Sequence, residues 1–244
     1  MISCVKTVNG YLKFNAEYLG GQDLKLHNTR EERVTFYSEG LQIEGILCNK
    51  DSEDSVVISH PHPLYGGNMH NQVVQTMALA YQERGFSTLR FNFRGVGNSK
   101  GSYDEGKGEE EDVKSALNYM YEIGNRNVDL AGYSFGSWVN VKISNISTMV
   151  KRIIMVSPPV AFLDFSFLCQ NPKVSAIITG ERDEIAPVES IREAVPVWNS
   201  DAVFKVIEGA DHFYTGRIDV LRNVLYDILS VNGVKKISTC SVSH

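Results

Sequence analysis

The sequence predicts an α/β fold: a mostly parallel central sheet of about eight strands with helices on both faces and an antiparallel start. Three observations predict it. Short apolar, β-branched runs alternate with amphipathic stretches along most of the chain. The first two apolar runs are separated only by Glu39-Gly40, which is typical of an antiparallel hairpin. The 244 residues, 43% of them hydrophobic, suffice for one well-buried core and are few for two domains.

The elements follow one another in a regular order. The strands are predicted as short apolar runs at residues 34–37, 41–48, 55–59, 86–93, 127–133, 151–157, 174–179 and 202–207. The helices are predicted from apolar residues at helical spacing, over residues 70–84, 109–123, 135 to about 146, 187–195 and 218–231. Gly85 and Gly124 each end a helix, and Pro187 begins one. The acidic turn from Glu109 to Asp112 suits the positive end of a helix dipole, so we expect it on a solvated face and not at a metal site.

These patterns indicate a single domain over residues 31–233, between two weakly patterned segments. We expect residues 1–30 to be an N-terminal extension and residues 234–244 to be a polar tail. The first residues lack the pattern of a signal peptide, and no apolar run has the length that spans a bilayer. The four cysteines lie far apart, which is typical of thiols in a reducing compartment. We therefore expect a cytoplasmic protein without a membrane partner.

Charge narrows the range of partners. The formal net charge is -5, and no basic stripe indicates a nucleic-acid partner. A homodimer stays an open alternative.

The pentapeptide Gly132-Tyr133-Ser134-Phe135-Gly136 directly follows a predicted strand and precedes a predicted helix. On such a turn the pattern G-x-S-x-G holds a serine hydroxyl out of the fold. The two glycines are needed because strand and helix pack too closely there for a Cβ. The pentapeptide alone is weak evidence, since tight turns with a solvated serine are common. Its context makes Ser134 a candidate nucleophile.

The chemistry of a serine nucleophile requires a base, because the hydroxyl is a weak nucleophile at neutral pH. A histidine can take its proton and return it to the leaving group, and a buried carboxylate fixes the tautomer of the imidazole. His212 lies just past the last predicted strand, in a loop where active sites of open α/β sheets collect. His244, the other downstream histidine, ends the polar tail and is a poor candidate.

Asp183 is the candidate acid, because it also follows a buried strand and precedes His212 in the chain. Three other carboxylates are rivals: Glu181, Glu184 and Asp211. The two glutamates are more typical of solvated side chains. Asp211 adjoins His212, and consecutive side chains usually diverge. The candidate catalytic residues are therefore Ser134, Asp183 and His212.

The oxyanion that forms during acyl transfer needs backbone N–H donors. One donor is expected from Phe135, at the start of the helix after Ser134. The other is expected from the histidine- and proline-rich loop of residues 60–70. Prolines have no N–H, which leaves His62 as the first choice and Leu64 as the second.

Two other interpretations of these motifs are weaker. His60, His62 and His70 could be metal ligands, but no acid or further histidine follows at close spacing, so we expect no metal. Gly95 and Gly97 form a G-x-G pattern, but no third glycine follows and no helix begins at once, so we expect no nucleotide cofactor. We expect a turn there instead, with Arg94 connecting loops.

As an ordered set, these motifs resemble the α/β-hydrolase superfamily. The chain is most similar to a small branch marked by His60-Pro61-His62-Pro63, which is related to dienelactone hydrolase-like and Xaa-Pro peptidase-like sequences. The other matching stretches are residues 66–69, 88–97, 131–136, 165–168, the Asp183 segment and residues 209–214. The resemblance covers about residues 34–231 and implies the α/β-hydrolase fold with a minimal cap and the triad Ser134, Asp183 and His212. The chain departs from dienelactone hydrolases, which use a cysteine nucleophile, and residues 1–30 look like an extension that the branch usually lacks.

The expected function is a serine hydrolase that acts on small esters or related acyl compounds through an acyl-enzyme. The segment of residues 158–172 is too short for a large lid, so we expect a shallow, open, apolar site. The expected substrate contacts are Leu64, Tyr65, Phe162 and Phe165, although core packing would explain the phenylalanines equally well. A thioesterase or peptidase on the same triad, and a non-catalytic binding protein on a hydrolase fold, are the alternatives.

Overall fold

The computed structural model describes residues 30–143 and 148–231. Its sheet has eight strands: β1 Glu32–Ser38, β2 Leu41–Cys48, β3 Asp54–Ser59, β4 Ser87–Phe91, β5 Asn127–Tyr133, β6 Val150–Val156, β7 Val174–Gly180 and β8 Val203–Ile207. Its five α-helices are α1 Gln72–Glu83, α2 Lys107–Glu122, α3 Phe135–Ile143, α4 Val188–Asn199 and α5 Ile218–Val231. The expected extension up to residue 29, the expected tail, and the end of the third helix near residue 146 lie outside the described residues.

The strands are ordered β1-β2-β4-β3-β5-β6-β7-β8 in the sheet. The β1–β2 and β2–β4 pairs are antiparallel, and all the other pairs are parallel. This arrangement confirms the predicted fold class, including the antiparallel start. Because β3 to β8 run in one direction, the loops that follow them meet at one edge of the sheet.

Helices cover both faces of the sheet and make two core layers. One layer packs side chains of α2, α3 and α4 against the sheet, including Leu117, Val139 and Ile191. The other packs side chains of α1 and α5, including Met77 and Leu225. No helix in the described part of the chain combines the length and the apolar character that crossing a bilayer requires.

Helix α4 is longer than the sequence predicts, because it continues past Pro196 to Asn199. Pro196 is exposed, whereas Ile191, Val195 and Trp198 recur at helical spacing and are buried. The apolar face of α4 therefore continues past Pro196. Burying Trp198 stabilises the last turn of the helix more than the proline destabilises it.

The expectation of a solvated acidic turn is wrong for two of its four residues, Glu109 and Asp112, which are fully buried. Glu109 lies in the first turn of α2 and accepts hydrogen bonds from the backbone N–H groups of Asp104 at 3.0 Å and Gly106 at 2.8 Å. Asp112 accepts from both the backbone and the guanidinium of Arg94, each at 2.9 Å. Arg94 thereby joins the loop after β4 to α2, and its guanidinium also pairs at 3.1 Å with Glu39 in the β1–β2 turn, which gives it the predicted role of connecting loops.

Candidate active site

Ser134 occupies a strained turn between β5 and α3. Its φ of 53° lies in the left-handed region, which non-glycine residues rarely adopt. A Cβ on Gly132 would overlap the backbone nitrogen of Ser137, and one on Gly136 would overlap the carbonyl oxygen of Ser59. The two glycines of the pentapeptide are therefore required by close backbone approach, as the sequence predicts. The turn aims the Ser134 side chain at the loops that follow the neighbouring strands.

The structure brings the three candidate catalytic side chains together. The Ser134 hydroxyl oxygen lies 3.1 Å from Nε2 of His212. On the other side of the ring, Nδ1 of His212 lies 2.9 Å from each carboxylate oxygen of Asp183. All three residues are at most 7% exposed. Since an ionised carboxylate only accepts hydrogen bonds, Nδ1 carries the proton and Nε2 is free to accept one from Ser134.

The environment of Asp183 favours its ionised form. Burial would raise the pKa of this carboxyl, but the hydrogen bonds that it accepts, foremost the one from His212, outweigh burial and lower the pKa. Backbone N–H groups of Ile185, at 3.0 Å, and Ala186, at 2.8 Å, also donate to Asp183. The acid is thus held as an oriented acceptor for the imidazole.

Two of the three rival carboxylates bind other groups, and the third is exposed. Glu181 accepts the N–H of Gly209 at 2.8 Å, and Asp211 accepts those of Phe213 and Thr215 at 3.1 and 2.9 Å. Glu184 is exposed. Of the four acids weighed from the sequence, Asp183 is therefore the one whose carboxylate meets the ring of His212.

Two buried tyrosines support the histidine loop, and neither was expected from the sequence. The hydroxyl of Tyr133, next to Ser134, donates to the carbonyl oxygen of His212 at 2.8 Å. Tyr214 shares a hydrogen bond of 2.9 Å with Ser157, at the end of β6. Burial raises the pKa of both phenols, so both hydroxyls stay protonated. They connect the loop after β8 to the ends of β5 and β6.

The histidines of the loop after β3 have structural contacts of their own. His60 is fully buried, with Nδ1 2.6 Å from the carbonyl oxygen of Pro61 and Nε2 accepting the N–H of Phe93 at 3.1 Å. Burial lowers the pKa of His60 to about 4, so its ring is neutral. His70 is exposed. Within residues 30–143 and 148–231, no cluster of three histidine, cysteine or acidic side chains is arranged to hold a metal ion.

The candidate oxyanion donors differ in what they already bind. The N–H of Leu64 donates to Nδ1 of His62 at 3.2 Å, so it is already engaged. In the described part of the chain, the N–H groups of His62 and Phe135 donate to no other group. The ring of His62 also packs on that of Phe135, with centroids 4.9 Å apart. These contacts favour His62 over Leu64 as the second donor.

The expected substrate contacts divide into two groups. Leu64, Tyr65 and Phe162 are exposed on loops at the edge of the sheet where Ser134 lies. Phe165 is buried instead and packs on Trp198, with ring centroids 5.2 Å apart. It faces a groove of about 410 Å³ between residues 160–168 and α4, whose lining includes none of the three candidate catalytic residues. Core packing therefore explains Phe165.

Phe213 is a further exposed side chain beside the site, and it was not among the predicted substrate contacts. It directly follows His212, and its ring meets the imidazole edge to face, with centroids 5.6 Å apart. About two thirds of its surface is exposed (65%). It adds an apolar side chain to the rim of the site.

Comparisons with known proteins agree with the fold described above. No family model matches the sequence. The chain is 32% identical over 201 residues to the uncharacterized protein RP471 of Rickettsia prowazekii, covering 77% of this chain and 84% of the relative. It is 38% identical to the solved structure of an α/β serine hydrolase homologue from Coxiella burnetii, with a TM-score of 0.76 over 80% of this chain and 96% of that one.

A second solved structure concerns the cap. The chain is 27% identical to XC6422 from Xanthomonas campestris, described as an α/β serine hydrolase without lid, with a TM-score of 0.76 over 83% of this chain and 95% of that one. In the present chain, the segment between β6 and β7 contains no helix and likewise forms no lid. By its sheet, its missing lid and its similarity to these structures, the chain belongs to the α/β-hydrolase superfamily, among the small lidless α/β serine hydrolases.

Proposed function

We propose that this protein is a serine hydrolase that cleaves small esters or related acyl compounds through an acyl-enzyme on Ser134. One observation carries the proposal: the Ser134 hydroxyl lies 3.1 Å from Nε2 of a histidine whose Nδ1 lies 2.9 Å from a buried carboxylate. This is the constellation that activates a serine, because base and orienting acid are both within hydrogen-bond distance. The serine hydrolase homologue from Coxiella burnetii supports the same class of chemistry.

In the first step, Ser134 Oγ attacks the carbonyl carbon of the substrate and passes its proton to Nε2 of His212. Asp183 accepts the Nδ1–H bond of the resulting imidazolium and stabilises its charge without taking the proton. The carbonyl oxygen becomes an oxyanion, and the N–H groups of Phe135 and His62 donate to it. Each such donor contributes about 10²–10³ in turnover, because it acts where negative charge develops.

In the second step, the carbon–oxygen bond to the leaving group breaks, and the Nε2–H of His212 protonates the departing alcohol. The acyl group remains on Ser134. A water molecule then repeats the attack with His212 as its base, which releases the carboxylic acid and restores the serine. Every proton moves through His212, and no redox step is involved.

The rim of the site favours apolar substrates. Leu64 and Tyr65 after β3, Phe162 after β6 and Phe213 after β8 expose large apolar surfaces on loops at one edge of the sheet. Without a lid, these side chains enclose a substrate only in part. We therefore propose short, apolar acyl groups as substrates, held by a few contacts and not by a deep pocket.

A panel of p-nitrophenyl esters with acyl chains of increasing length tests the proposal, together with matched thioesters and an amide. The expected result is turnover of short-chain esters with a pre-steady-state burst of p-nitrophenol, since the acyl-enzyme forms before it is hydrolysed. Ser134→Ala should abolish turnover, whereas Ser200→Ala, which removes an exposed hydroxyl at the end of α4, should not alter it. Absence of turnover with every ester and thioester would contradict the proposal and favour a binding protein; preference for the thioester or the amide would replace the proposed substrate class.

A further inference from the structure

Tyr103 lies where the loop after β4 approaches the candidate oxyanion donors. Its hydroxyl is 3.2 Å from Nε2 of His62, and its ring lies 4.9 Å from the ring of His62. The Tyr103 ring also lies 5.9 Å from that of Phe135. One half-buried side chain thus contacts both residues whose N–H groups are proposed to bind the oxyanion.

The contacts of His62 define the direction of the Tyr103 hydrogen bond. The N–H of Leu64 donates to Nδ1 of His62, so Nδ1 is an acceptor and carries no proton. Burial lowers the pKa of His62, which keeps its ring neutral. A neutral ring that accepts through Nδ1 carries its proton on Nε2. That proton is donated to the hydroxyl oxygen of Tyr103.

The same histidine ring holds the backbone of its own loop. The His62 ring caps the short 3-10 turn Pro63–Tyr65. The backbone carbonyl oxygen of His62 accepts the N–H groups of Tyr65 and Gly67, each at 3.1 Å. A Cβ on Gly67 would overlap the carbonyl oxygen of Pro61, so the loop folds tightly back on itself. The orientation of the ring and that of the His62 peptide are therefore coupled.

Tyr103 is itself anchored by contacts that do not involve the triad. The N–H groups of Asp104 and Gly106, just after it, donate to the buried carboxylate of Glu109. Just before it, Ser102 passes so close to Gly95 that a Cβ on that glycine would lie 2.9 Å from the Ser102 Cα. Tyr103 thus presents its hydroxyl from a rigid support.

We infer that Tyr103 is a positioning residue: its hydroxyl, through the ring of His62, holds the His62 N–H in line with that of Phe135 to receive the oxyanion. The inference rests on the proposed serine hydrolase function. Misplacing a catalytic group by about 1 Å can cost about 10² in rate, so loss of one hydrogen bond in the support is expected to cost about tenfold. The loss should appear in kcat, because the oxyanion exists only in the transition state and the intermediate.

The test compares wild type with Tyr103→Phe, which keeps the ring and removes the hydroxyl. The matched control is Tyr119→Phe, the same change at another half-buried tyrosine, on α2, where the ring stacks on Phe36. With p-nitrophenyl butyrate, we expect Tyr103→Phe to lower kcat about tenfold with KM changed less than about twofold, and Tyr119→Phe to change neither.

A trifluoromethyl ketone supplies a readout that a merely structural role would not move, because its serine adduct carries an oxyanion. Its affinity should fall in Tyr103→Phe by about the same factor as kcat/KM, while inhibition by the product butyrate should stay unchanged. If Tyr103→Phe keeps the wild-type kcat and the wild-type inhibitor affinity, the inference is overturned and the proposed function still stands. A wild type that shows no turnover and no labelling by a fluorophosphonate would overturn the proposed function and the inference with it.

If Tyr103→Phe does not fold, the wild type still decides. In ¹⁵N-histidine NMR spectra, we expect the ring of His62 to carry its proton on Nε2, with slow solvent exchange due to the bond with Tyr103. A proton on Nδ1 of His62, or fast exchange at Nε2, would overturn the inference.

Discussion

His212 places Nδ1 2.9 Å from both carboxylate oxygens of Asp183, although 29 residues separate the two along the chain. The contact depends on the close approach of the loops after β7 and β8. A Cβ on Gly180 would overlap the carbonyl oxygen of Ala210, so only glycine fits where the loops meet. The opposite ring nitrogen is thereby left to face Ser134.

Replacing Asp183 by asparagine should abolish most activity while the fold persists. The oxygen of the introduced amide would still accept the N–H groups of Ile185 and Ala186, but its NH₂ group would donate to Nδ1 of His212. The imidazole would then carry its proton on Nε2 and could not accept one from Ser134. We expect kcat to fall by about 10⁴, measured with p-nitrophenyl butyrate, and the far-ultraviolet circular dichroism to stay unchanged. The exposed rival serves as control: Glu184→Gln should keep kcat, and equal losses in both variants would contradict the role of Asp183.

Replacing Phe213 by alanine should weaken substrate binding more than turnover. The ring is exposed beside His212 and can cover an acyl chain bound at Ser134. We expect KM for p-nitrophenyl hexanoate to rise about fivefold, with a smaller effect on the acetate and kcat nearly constant. Tyr37→Ala, which removes an exposed aromatic ring from β1, should change neither constant. An equal effect on acetate and hexanoate would show that Phe213 does not contact the acyl chain.

Acid should destabilise the protein through His60. Burial lowers the pKa of this histidine from 6.5 to about 4, so the unfolded chain binds a proton at higher pH than the folded chain does. Its contribution to stability is complete above pH 6.5, falls as the pH drops below that value, and is lost by about pH 4. Protonation of His60 should therefore lower the free energy of unfolding by roughly 3 kcal/mol between these two pH values.

Urea unfolding at several pH values measures this effect. His60→Gln should be less stable than wild type at neutral pH, because it cannot keep both hydrogen bonds of the ring. Its stability should also depend less on pH between 6.5 and about 4. Parallel pH profiles for the two proteins would refute the assignment to His60.

The buried ion pair between Arg94 and Asp112 should matter far more than an exposed one. Asp112→Ala would leave the backbone N–H of Arg94 without its buried acceptor and take away the buried carboxylate of the guanidinium, which would keep only Ser38 and the exposed Glu39. We expect the free energy of unfolding to fall by about 3–5 kcal/mol. Glu189→Ala removes the acid of the exposed pair with Arg192 and should cost less than about 1 kcal/mol. Similar urea midpoints for the two variants would contradict this account of Asp112.

The fold and the candidate catalytic residues Ser134, Asp183 and His212 could be predicted from the sequence, because the patterns that indicate them are local. Alternating apolar runs define the strands and helices, and G-x-S-x-G needs only its own strand and helix to identify Ser134. Asp183 and His212 follow from chain order and from the rule that loops after parallel strands share one edge. None of these steps requires knowledge of which side chains pack together.

The remaining features depend on distant contacts. The acidic turn looks solvated until Arg94 is placed beside it, so close that a Cβ on Gly108 would overlap the Arg94 guanidinium. The burial of Phe165 follows from Trp198, on the part of α4 that lies beyond its predicted end at residue 195. Tyr103 lies in a polar loop without periodicity, and its hydrogen bond to His62 spans 41 residues. A single sequence carries no direct signal for such pairs.

The most direct test of the account is labelling by a fluorophosphonate, which reacts with an activated serine. The intact mass of the wild type should rise by one equivalent of probe, peptide mapping should place the adduct on Ser134, and labelling should slow in Asp183→Asn. Ser134→Ala should remain unlabelled. Absence of labelling on the folded wild type, or equal labelling of Ser134→Ala, would contradict the claim that Ser134 is an activated nucleophile.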